Sequence, residues 1–302
     1  MKSTVADTCH QDAPDTRSRF QNPENPFDFE YSSVPRWQFM AERDEAFAAE
    51  TTTKEILLDI SGTLCTPYPA TTPLLLARYL RLRRGEKIAV TRRASAEMLY
   101  VFYGNGRSSG FTESINWNTG DALCFPGGDE VIHRATDDAL LFSVCNEPLL
   151  NFEDLEAPLG GHARVLPTHW RRAQIDAQFV EILSRPDSEQ TTGRALQLAT
   201  EAMAPSAQPI PSMNVAINTL EPGQDQRPHR HNGVAITLAI EGTGIYSMIE
   251  GERIEWSTGA VQITPATELH SHHNRGERRM ESLVVQDAGF HFYTRTPGFS
   301  WD

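Results

Sequence analysis

Two stretches in the last third of the chain decide the fold: Pro228–Gly242, PHRHNGVAITLAIEG, and Pro265–Asn274, PATELHSHHN. Each contains two histidines separated by one residue. Because residues two apart on a β-strand point to the same side, each pair can direct both imidazoles onto one interior surface. The surrounding short apolar runs, which are bounded by glycine and proline, are typical of strands joined by turns. Imidazole is the commonest neutral ligand of iron, copper, zinc and nickel, so this pattern predicts a metal site.

An internal repeat relates this region to the first half of the chain. Subtracting 138 or 139 from the turn residues of the second half gives turn residues of the same type in the first half. The pairs are Gly223 and Gly85, Gly242 and Gly104, Gly244 and Gly106, Gly259 and Gly120, and Pro265 and Pro126. Glycine and proline fix turns, so the two halves are predicted to share one β fold.

The histidines do not follow this repeat. His229, His231 and His270 correspond to Thr91, Arg93 and Val131, whereas His272 corresponds to His133. The repeat therefore predicts that the first half keeps the turns but binds no metal.

Composition excludes several classes of partner. The chain has 302 residues and a net charge of −13, which opposes binding to nucleic acid or to an anionic membrane. Its four cysteines, Cys9, Cys65, Cys124 and Cys145, form no Cys-x-x-Cys pair and are expected to be free thiols in a reducing compartment. No secretory signal or run of about 20 apolar residues is present, so a cytoplasmic location is expected.

Texture divides the chain into four segments. Residues 1–35 are polar and are predicted to form a flexible N-terminal arm that can pack on a partner subunit of a homo-oligomer. Residues 36–150 form the first strand-rich domain, opened by a helical stretch at 37–51. Residues 151–210 are predicted to be a linker with helices at 170–183 and 192–203. Residues 211–302 form the second strand-rich domain.

The glycine and histidine spacing resembles the two motifs of the cupin superfamily. The residues that carry the likeness are Gly223, His229, His231 and Gly244 for the first motif, and Gly259, Pro265, His270 and Asn274 for the second. This resemblance implies a mainly β bicupin, with two double-stranded β-helix (jelly-roll) barrels joined by a partly helical linker. It also implies one metal site with His229, His231 and His270 as ligands. The glutamate that cupins usually add would fall at Ala235 or Ile236, so the site is of the three-histidine kind.

A narrower likeness joins the stretch 229–253 and the Pro265–Asn274 segment to gentisate 1,2-dioxygenases and related salicylate and hydroxynaphthoate dioxygenases. Those bicupins use Fe(II) to open aromatic rings, and an alanine also replaces their glutamate. The likeness implies Fe(II), or another divalent transition metal, together with O2 and a small aromatic substrate. Two features depart from the family: its iron lies in the N-terminal barrel, and Thr237 stands here where an arginine is usual near the substrate.

The ligand set is consistent with dioxygen chemistry. Three neutral ligands leave a divalent metal its full charge and open positions for a chelating anionic substrate and O2. We therefore predict a non-haem Fe(II) dioxygenase acting on a gentisate-like or salicylate-like aromatic. A metal-dependent isomerase, lyase or C–C hydrolase and a non-enzymatic ligand-binding bicupin remain as alternatives.

His272 is the predicted catalytic residue. It lies two residues after His270, so the two side chains are predicted to face the same side of the strand, where His272 could donate a hydrogen bond or transfer a proton. The alternative is a turn histidine that faces solvent. Other candidates are weaker. Tyr246, Met248 and Trp256 are candidates for the barrel mouth, Glu97 and Arg93 for a buried pair in the first barrel, and His291 for a strand. The possible substrate anchors are Arg227, Arg230, Arg253, Arg278 and Arg279.

Overall fold

The computed structural model describes residues 14–20, 22, 33–159, 161–186 and 193–301. An N-terminal unit, Met1–Ser33, contains a short 3-10 helix, Pro14–Arg17. Most of the arm predicted for residues 1–35, together with Cys9, lies outside the described residues. A second unit, Val34–Asp302, contains the strands and α-helices described below.

The second unit is built mainly from β-strands. The strands are β1 (Trp37–Gln38), β2 (Lys54–Leu58), β3 (Leu76–Leu82), β4 (Lys87–Thr91), β5 (Ala96–Tyr103), β6 (Asn105–Gly110), β7 (Glu113–Asn118), β8 (Ala122–Pro126), β9 (Glu130–Ala135), β10 (Ala139–Cys145), β11 (Thr168–Trp170), β12 (Arg194–Gln197), β13 (Asn214–Leu220), β14 (His229–His231), β15 (Ala235–Glu241), β16 (Ile245–Ile249), β17 (Glu252–Glu255), β18 (Val261–Thr264), β19 (His270–Asn274), β20 (Met280–Gln286) and β21 (Phe299–Trp301). The helices are α1 (Met40–Phe47), α2 (Ser61–Leu64), α3 (Glu147–Phe152), α4 (Arg172–Leu183), α5 (Gly289–Thr294) and a 3-10 helix, Glu201–Ser206.

The first barrel consists of two antiparallel sheets, one with the order β11-β8-β5-β10-β3-β2 and one with the order β4-β9-β6-β7. Apolar side chains from both sheets fill the space between them. They include Leu80, Leu99, Phe125, Trp117 and Val131. Its interior is therefore largely a hydrophobic core.

The second barrel repeats this plan with the sheets β1-β18-β15-β20-β13-β12 and β17-β16-β19-β14-β21. The strand bounds follow the sequence repeat, because the two ends of β3 correspond to the two ends of β13. Gly85 and Gly223 both adopt positive φ, at 77° and 80°, so the shared turn requires the same backbone conformation. The predicted pair of cupin-type barrels is confirmed.

The two six-stranded sheets pack against each other back to back. A single hydrophobic cluster contains Tyr79 and Phe142 of the first barrel and Ile217, Ile236 and Val285 of the second. Because alternate residues of a strand point to opposite faces, the neighbours of these second-barrel residues point into the second barrel. This interface therefore fixes which side chains face its interior.

The segments at the barrel boundaries differ in part from the prediction. The helices predicted at 37–51 and 170–183 are present as α1 and α4, but β1 pairs with β18 of the second barrel. The helix predicted at 192–203 is wrong: residues 194–197 form β12, which extends the sheet beside β13, and a 3-10 helix follows. Edge pairing overrides the local helix propensity there. The boundaries 36–150, 151–210 and 211–302 stay predictions.

Asp287 connects the two barrels at their interface. Its carboxylate accepts hydrogen bonds from the Val234 amide (2.7 Å) and from the Thr72 hydroxyl of the first barrel (3.1 Å). Burial raises the pKa of Asp287 to about 6. An unfolded aspartate ionises near pH 4, so the folded state holds the proton more tightly. The stability of the fold therefore falls as pH rises from about 4 to about 6.

We expect Asp287→Asn to increase the free energy of unfolding at pH 7.5 by about 2 kcal/mol and to change it little at pH 4. Urea denaturation of both proteins at the two pH values measures this difference. Asp137→Asn, on an exposed side chain, is the matched control and should have no such pH dependence. Equal stabilisation at both pH values would contradict the assignment.

Candidate metal centre

Two neighbouring strands of the second barrel bring three histidines together. His229 and His231 lie on β14, His270 lies on β19, and His229 is the direct cross-strand partner of His270. One ligand nitrogen from each ring lies within 4.8 Å of the others. The three side chains are buried, with exposed fractions of 3–6%. The His-x-His parity predicted from the sequence is therefore present, and it places Arg230 on the other face, where it pairs with Glu250.

Backbone carbonyls orient all three imidazoles. The Nδ1 atoms of His229, His231 and His270 lie 3.0, 2.6 and 2.9 Å from the carbonyl oxygens of Arg227, Gly233 and Glu268. A carbonyl can only accept, so each Nδ1 carries the hydrogen and each Nε2 presents a lone pair. Burial and the neighbouring imidazoles lower the pKa of each ring to about 4. Three neutral Nε2 donors held in this way fit a divalent transition metal.

The position of the missing carboxylate is visible in the register of β15. Ala235 pairs with Thr264 on β18 and with Gln286 on β20, and its neighbour Ile236 belongs to the core between the barrels. Ala235 therefore faces the barrel interior, where a cupin glutamate would lie. The described residues include no carboxylate in the histidine group.

Two adjoining cavities lie in this region, and of the three histidines only His229 lines either of them. One, of about 180 Å³, is lined by His229 and by residues of β12, β13 and β20. The other, of about 340 Å³, includes residues of α5 and of the segment that follows it. Gln197, Asn214, Gln286 and Phe299 line both cavities. The volumes suit a small aromatic molecule that approaches the triad from the side of His229.

Strand β21, which the sequence did not predict, forms one wall of the site. It pairs with β14, so that His229 lies opposite Trp301 and His231 opposite Phe299. The Phe299 ring stacks on His229 with a centroid distance of 4.9 Å. The Arg227 guanidinium lies 5.2 Å above the Trp301 ring. This short segment has no periodic signal of its own, because its pairing partner is distant in the sequence.

His272 lies outside the ligand group, where it is hydrogen-bonded to Ser247 and its ring packs against Trp256. Its Nδ1 accepts a hydrogen bond from the Ser247 hydroxyl at 2.9 Å, because the same oxygen already accepts from Trp256 Nε1 (2.8 Å) and Gln262 Nε2 (2.9 Å). At 4% exposure, His272 is not the solvent-facing turn residue considered above. Burial and the surrounding histidines hold its pKa well below the usual value.

The first barrel contains the same arrangement at the positions related by the sequence repeat. His133 Nδ1 lies 2.7 Å from the Ser108 hydroxyl, which accepts from Trp117 Nε1 at 2.9 Å. The repeat that relates His272 to His133 also relates the two serines and the two tryptophans, a signal in the sequence that the prediction did not use. The Trp–Ser–His arrangement therefore belongs to the fold of both barrels, with or without a histidine triad.

The predicted pair of Glu97 with Arg93 is wrong. Glu97 Oε1 accepts from Arg92 Nε at 2.9 Å and from the Ser143 hydroxyl, whereas Arg93 bonds to Asn151 and Asp154. Strand β4 ends at Thr91, so the alternation of side chains is lost and Arg92 turns inward. A buried ion pair thus lies in the region of the first barrel where the second barrel has its histidines.

Several weaker candidates differ from their predicted roles. Tyr246 and Met248 alternate with the buried Ser247 and lie on the outer face of β16, so neither lines the barrel mouth. His291 lies in α5 and not in a strand, although it lines the larger cavity. Four of the five arginines considered as anchors pair with glutamates; they are Arg230, Arg253, Arg278 and Arg279.

Comparison with known proteins agrees with this geometry. Residues 216–286 match the cupin domain family. A gentisate 1,2-dioxygenase from a Ralstonia species is 27% identical over 132 residues, which is 42% of this chain and 36% of the relative. A 5-nitrosalicylic acid 1,2-dioxygenase from a Bradyrhizobium species is 28% identical over 85 residues, 28% of this chain and 41% of the relative. A salicylate 1,2-dioxygenase structure from Pseudaminobacter salicylatoxidans superposes with a TM-score of 0.76 at 13% identity, covering 95% of this chain and 94% of that one.

The fold and the histidine site together define a bicupin. Within that class, the chain is similar to the gentisate and salicylate 1,2-dioxygenases. The matched stretch spans little more than a third of the length of the two gentisate dioxygenases. Among the described residues, no helix is long and apolar enough to cross a membrane.

Proposed function

We propose that this bicupin is a non-haem Fe(II) dioxygenase that opens the ring of a small hydroxylated or carboxylated aromatic. The observation that carries the proposal is the set of three neutral Nε2 donors beside a cavity, with Ala235 where a cupin carboxylate would stand. The proposed ligands are His229, His231 and His270. The similarity to gentisate and nitrosalicylate dioxygenases supports the reaction class.

The metal, when bound, would supply Lewis acidity and redox chemistry with O2. The protein's contribution is to keep that chemistry in place. The carbonyls of Arg227, Gly233 and Glu268 fix the imidazole tautomers, so the three lone pairs converge without rearrangement. The small side chain of Ala235 leaves room and adds no negative charge, which favours an anionic chelating substrate.

Phe299 and His272 are proposed to support the site without binding the metal. Phe299 covers one face of His229 and limits the access of water from the side of β21. His272 is held by Ser247 through Nδ1, which leaves Nε2 for a hydrogen bond inside the barrel. We propose His272 as a hydrogen-bond partner or proton carrier for the bound substrate. A homo-oligomer and a cytoplasmic location stay predictions.

Oxygen consumption tests the proposal. The Fe(II)-reconstituted protein should consume O2 with at least one member of a panel of gentisates and salicylates, and 18O2 should place label in the product. Protein treated with a chelator and reconstituted with Zn2+ is the control and should consume none. Multiple turnover in the absence of oxygen would overturn the dioxygenase proposal in favour of an isomerase, lyase or hydrolase.

A further inference from the structure

The wall of the second barrel formed by its six-stranded sheet presents a row of uncharged side chains. Cross-strand pairing places Asn214 beside Gln286, Gln286 beside Ala235, and Ala235 beside Thr264. Their chain neighbours Val215, Val285, Ile236 and Ile263 belong to the core between the barrels. The row therefore faces the interior, at the level of the absent glutamate.

The next row is neutral as well. Ala216 pairs with Val284, Val284 with Thr237, and Thr237 with Gln262. Asn214, Ala216, Val284 and Gln286 also line the cavity that contains His229. A molecule that reaches the histidines from this cavity therefore meets carboxamides and small side chains on its other side.

Several polar atoms of this interior have no partner within the protein. The Oε1 atoms of Gln226 and Gln262 and the hydroxyl of Thr264 are buried without a hydrogen bond. The Asn214 side-chain oxygen accepts from Gln208 Nε2 at 3.1 Å, which leaves the Asn214 amide hydrogens for another acceptor. An unmade buried hydrogen bond is costly, and Gln226 and Asn214 both line the cavity that contains His229, so these two side chains point to a ligand with hydrogen-bonding groups.

Fixed charge is scarce in the same space. Among the described residues that line the two cavities, Arg194 alone carries a permanent charge. Its side chain donates to the Arg185 carbonyl. Arg194 lies two residues from Leu196 on β12 and so points to the same face of the sheet, where Leu196 packs on the core between the barrels. A carboxylate placed against this wall would lose its hydration without gaining a cationic partner.

We propose that these two rows of uncharged side chains, here called the neutral wall, select the substrate. If the proposed ring-cleaving function holds, the metal takes the chelating groups of the aromatic acid. Gln286 and Asn214 then bind an uncharged hydrogen-bonding substituent on the far edge of the ring, such as an amide, hydroxyl or nitro group. A second carboxylate at that edge is rejected.

Anaerobic calorimetry with the Fe(II)-reconstituted protein tests this selection without turnover. The probes are salicylates that carry a carboxamide or a carboxylate at ring position 4 or 5. We expect the better carboxamide to bind at least tenfold more tightly than its carboxylate counterpart at pH 7. Gln286→Lys should reverse the preference, because an ammonium group would then face the substituent. Asn116→Lys, which adds the same charge to an exposed strand of the first barrel, should leave it unchanged.

The inference would be overturned if the carboxamide and the carboxylate of each pair bound equally, or if the dicarboxylates bound more tightly. It would also be overturned if folded Gln286→Lys kept the wild-type preference. Asn214→Lys provides a second variant in the same row, and the wild-type comparison decides alone if neither variant folds. Oxygen uptake is measured separately on the same samples. A carboxamide preference without O2 consumption would support substrate selection by the neutral wall and refute the dioxygenase proposal. O2 consumption with a dicarboxylate preference would support the dioxygenase proposal and refute substrate selection by the neutral wall.

Discussion

Alanine at His229, His231 or His270 is expected to remove most of the bound metal and to reduce turnover below detection. Each ring supplies one of only three converging Nε2 atoms, and no carboxylate lies in the described histidine group to compensate for a lost ligand. Metal analysis after reconstitution with Fe(II) measures the first effect, and O2 uptake measures the second. Wild-type protein should retain about one metal per chain, because the described residues contain one such triad.

Two histidines provide matched controls for these variants. His133→Ala removes the equivalent of His272 from the first barrel and should leave the metal content unchanged. His272→Ala lies beside the triad but outside it, and should retain the metal while lowering turnover on the order of 100-fold. Loss of the metal in His133→Ala would show that the first barrel takes part in binding. Unchanged turnover in His272→Ala would restrict that residue to the Trp–Ser–His arrangement common to both barrels.

Much of the architecture could be predicted because it depends on turn residues and on the alternation of side chains along strands, and both are visible in the sequence. The turn glycines and prolines recur at corresponding positions of the two halves, and this recurrence predicted two copies of one fold. The parity of His229 with His231 predicted that both rings share a face, as the register of β14 and β19 now shows. Thr91, Arg93 and Val131 in place of the histidines predicted a first barrel without a triad.

The parts that could not be predicted depend on pairings between distant residues. Strand β21 forms only because residues 299–301 meet β14, and nothing within the tripeptide indicates this. Strand β12 has a helix-favouring sequence, but its backbone completes the edge of a sheet. The neutral wall likewise consists of two rows across four strands, and the sequence does not give the register between those strands.

The prediction of Arg93, and not Arg92, as the partner of Glu97 failed for a different reason. Parity holds only while a strand continues, and β4 ends at Thr91. The Arg92 side chain then enters the barrel and contacts Glu97, while Arg93 turns outward to Asp154. The sequence identified Glu97 as the position of a cupin glutamate but could not identify its partner.

The two barrels use this position in opposite ways. In the second barrel, Ala235 leaves the interior without a carboxylate. In the first, the Glu97 carboxylate remains and is paired with the Arg92 guanidinium at 2.9 Å, with Arg78 3.9 Å away. Burial would raise the pKa of Glu97, but Arg92 and Arg78 outweigh it and hold the pKa below its ordinary value. A fixed cation of the protein thus lies beside the glutamate that would bind a metal in other cupins.

Removing this carboxylate should therefore affect folding and not metal binding. We expect Glu97→Gln to lower the free energy of unfolding at pH 7 by about 3 kcal/mol, because Arg92 and Arg78 lose a buried counter-charge. Glu45→Gln, which breaks an exposed pair with Lys54, should cost less than about 1 kcal/mol. The pKa of Glu97 is lowered in the folded state, so its contribution is present above pH 4.5 and is lost as pH falls further. Urea denaturation at pH 7 and pH 3.5 should accordingly show a smaller difference between wild type and Glu97→Gln at the lower pH. Metal content should equal that of the wild type, and a folded Glu97→Gln protein without metal would mean that the carboxylate still serves a metal site.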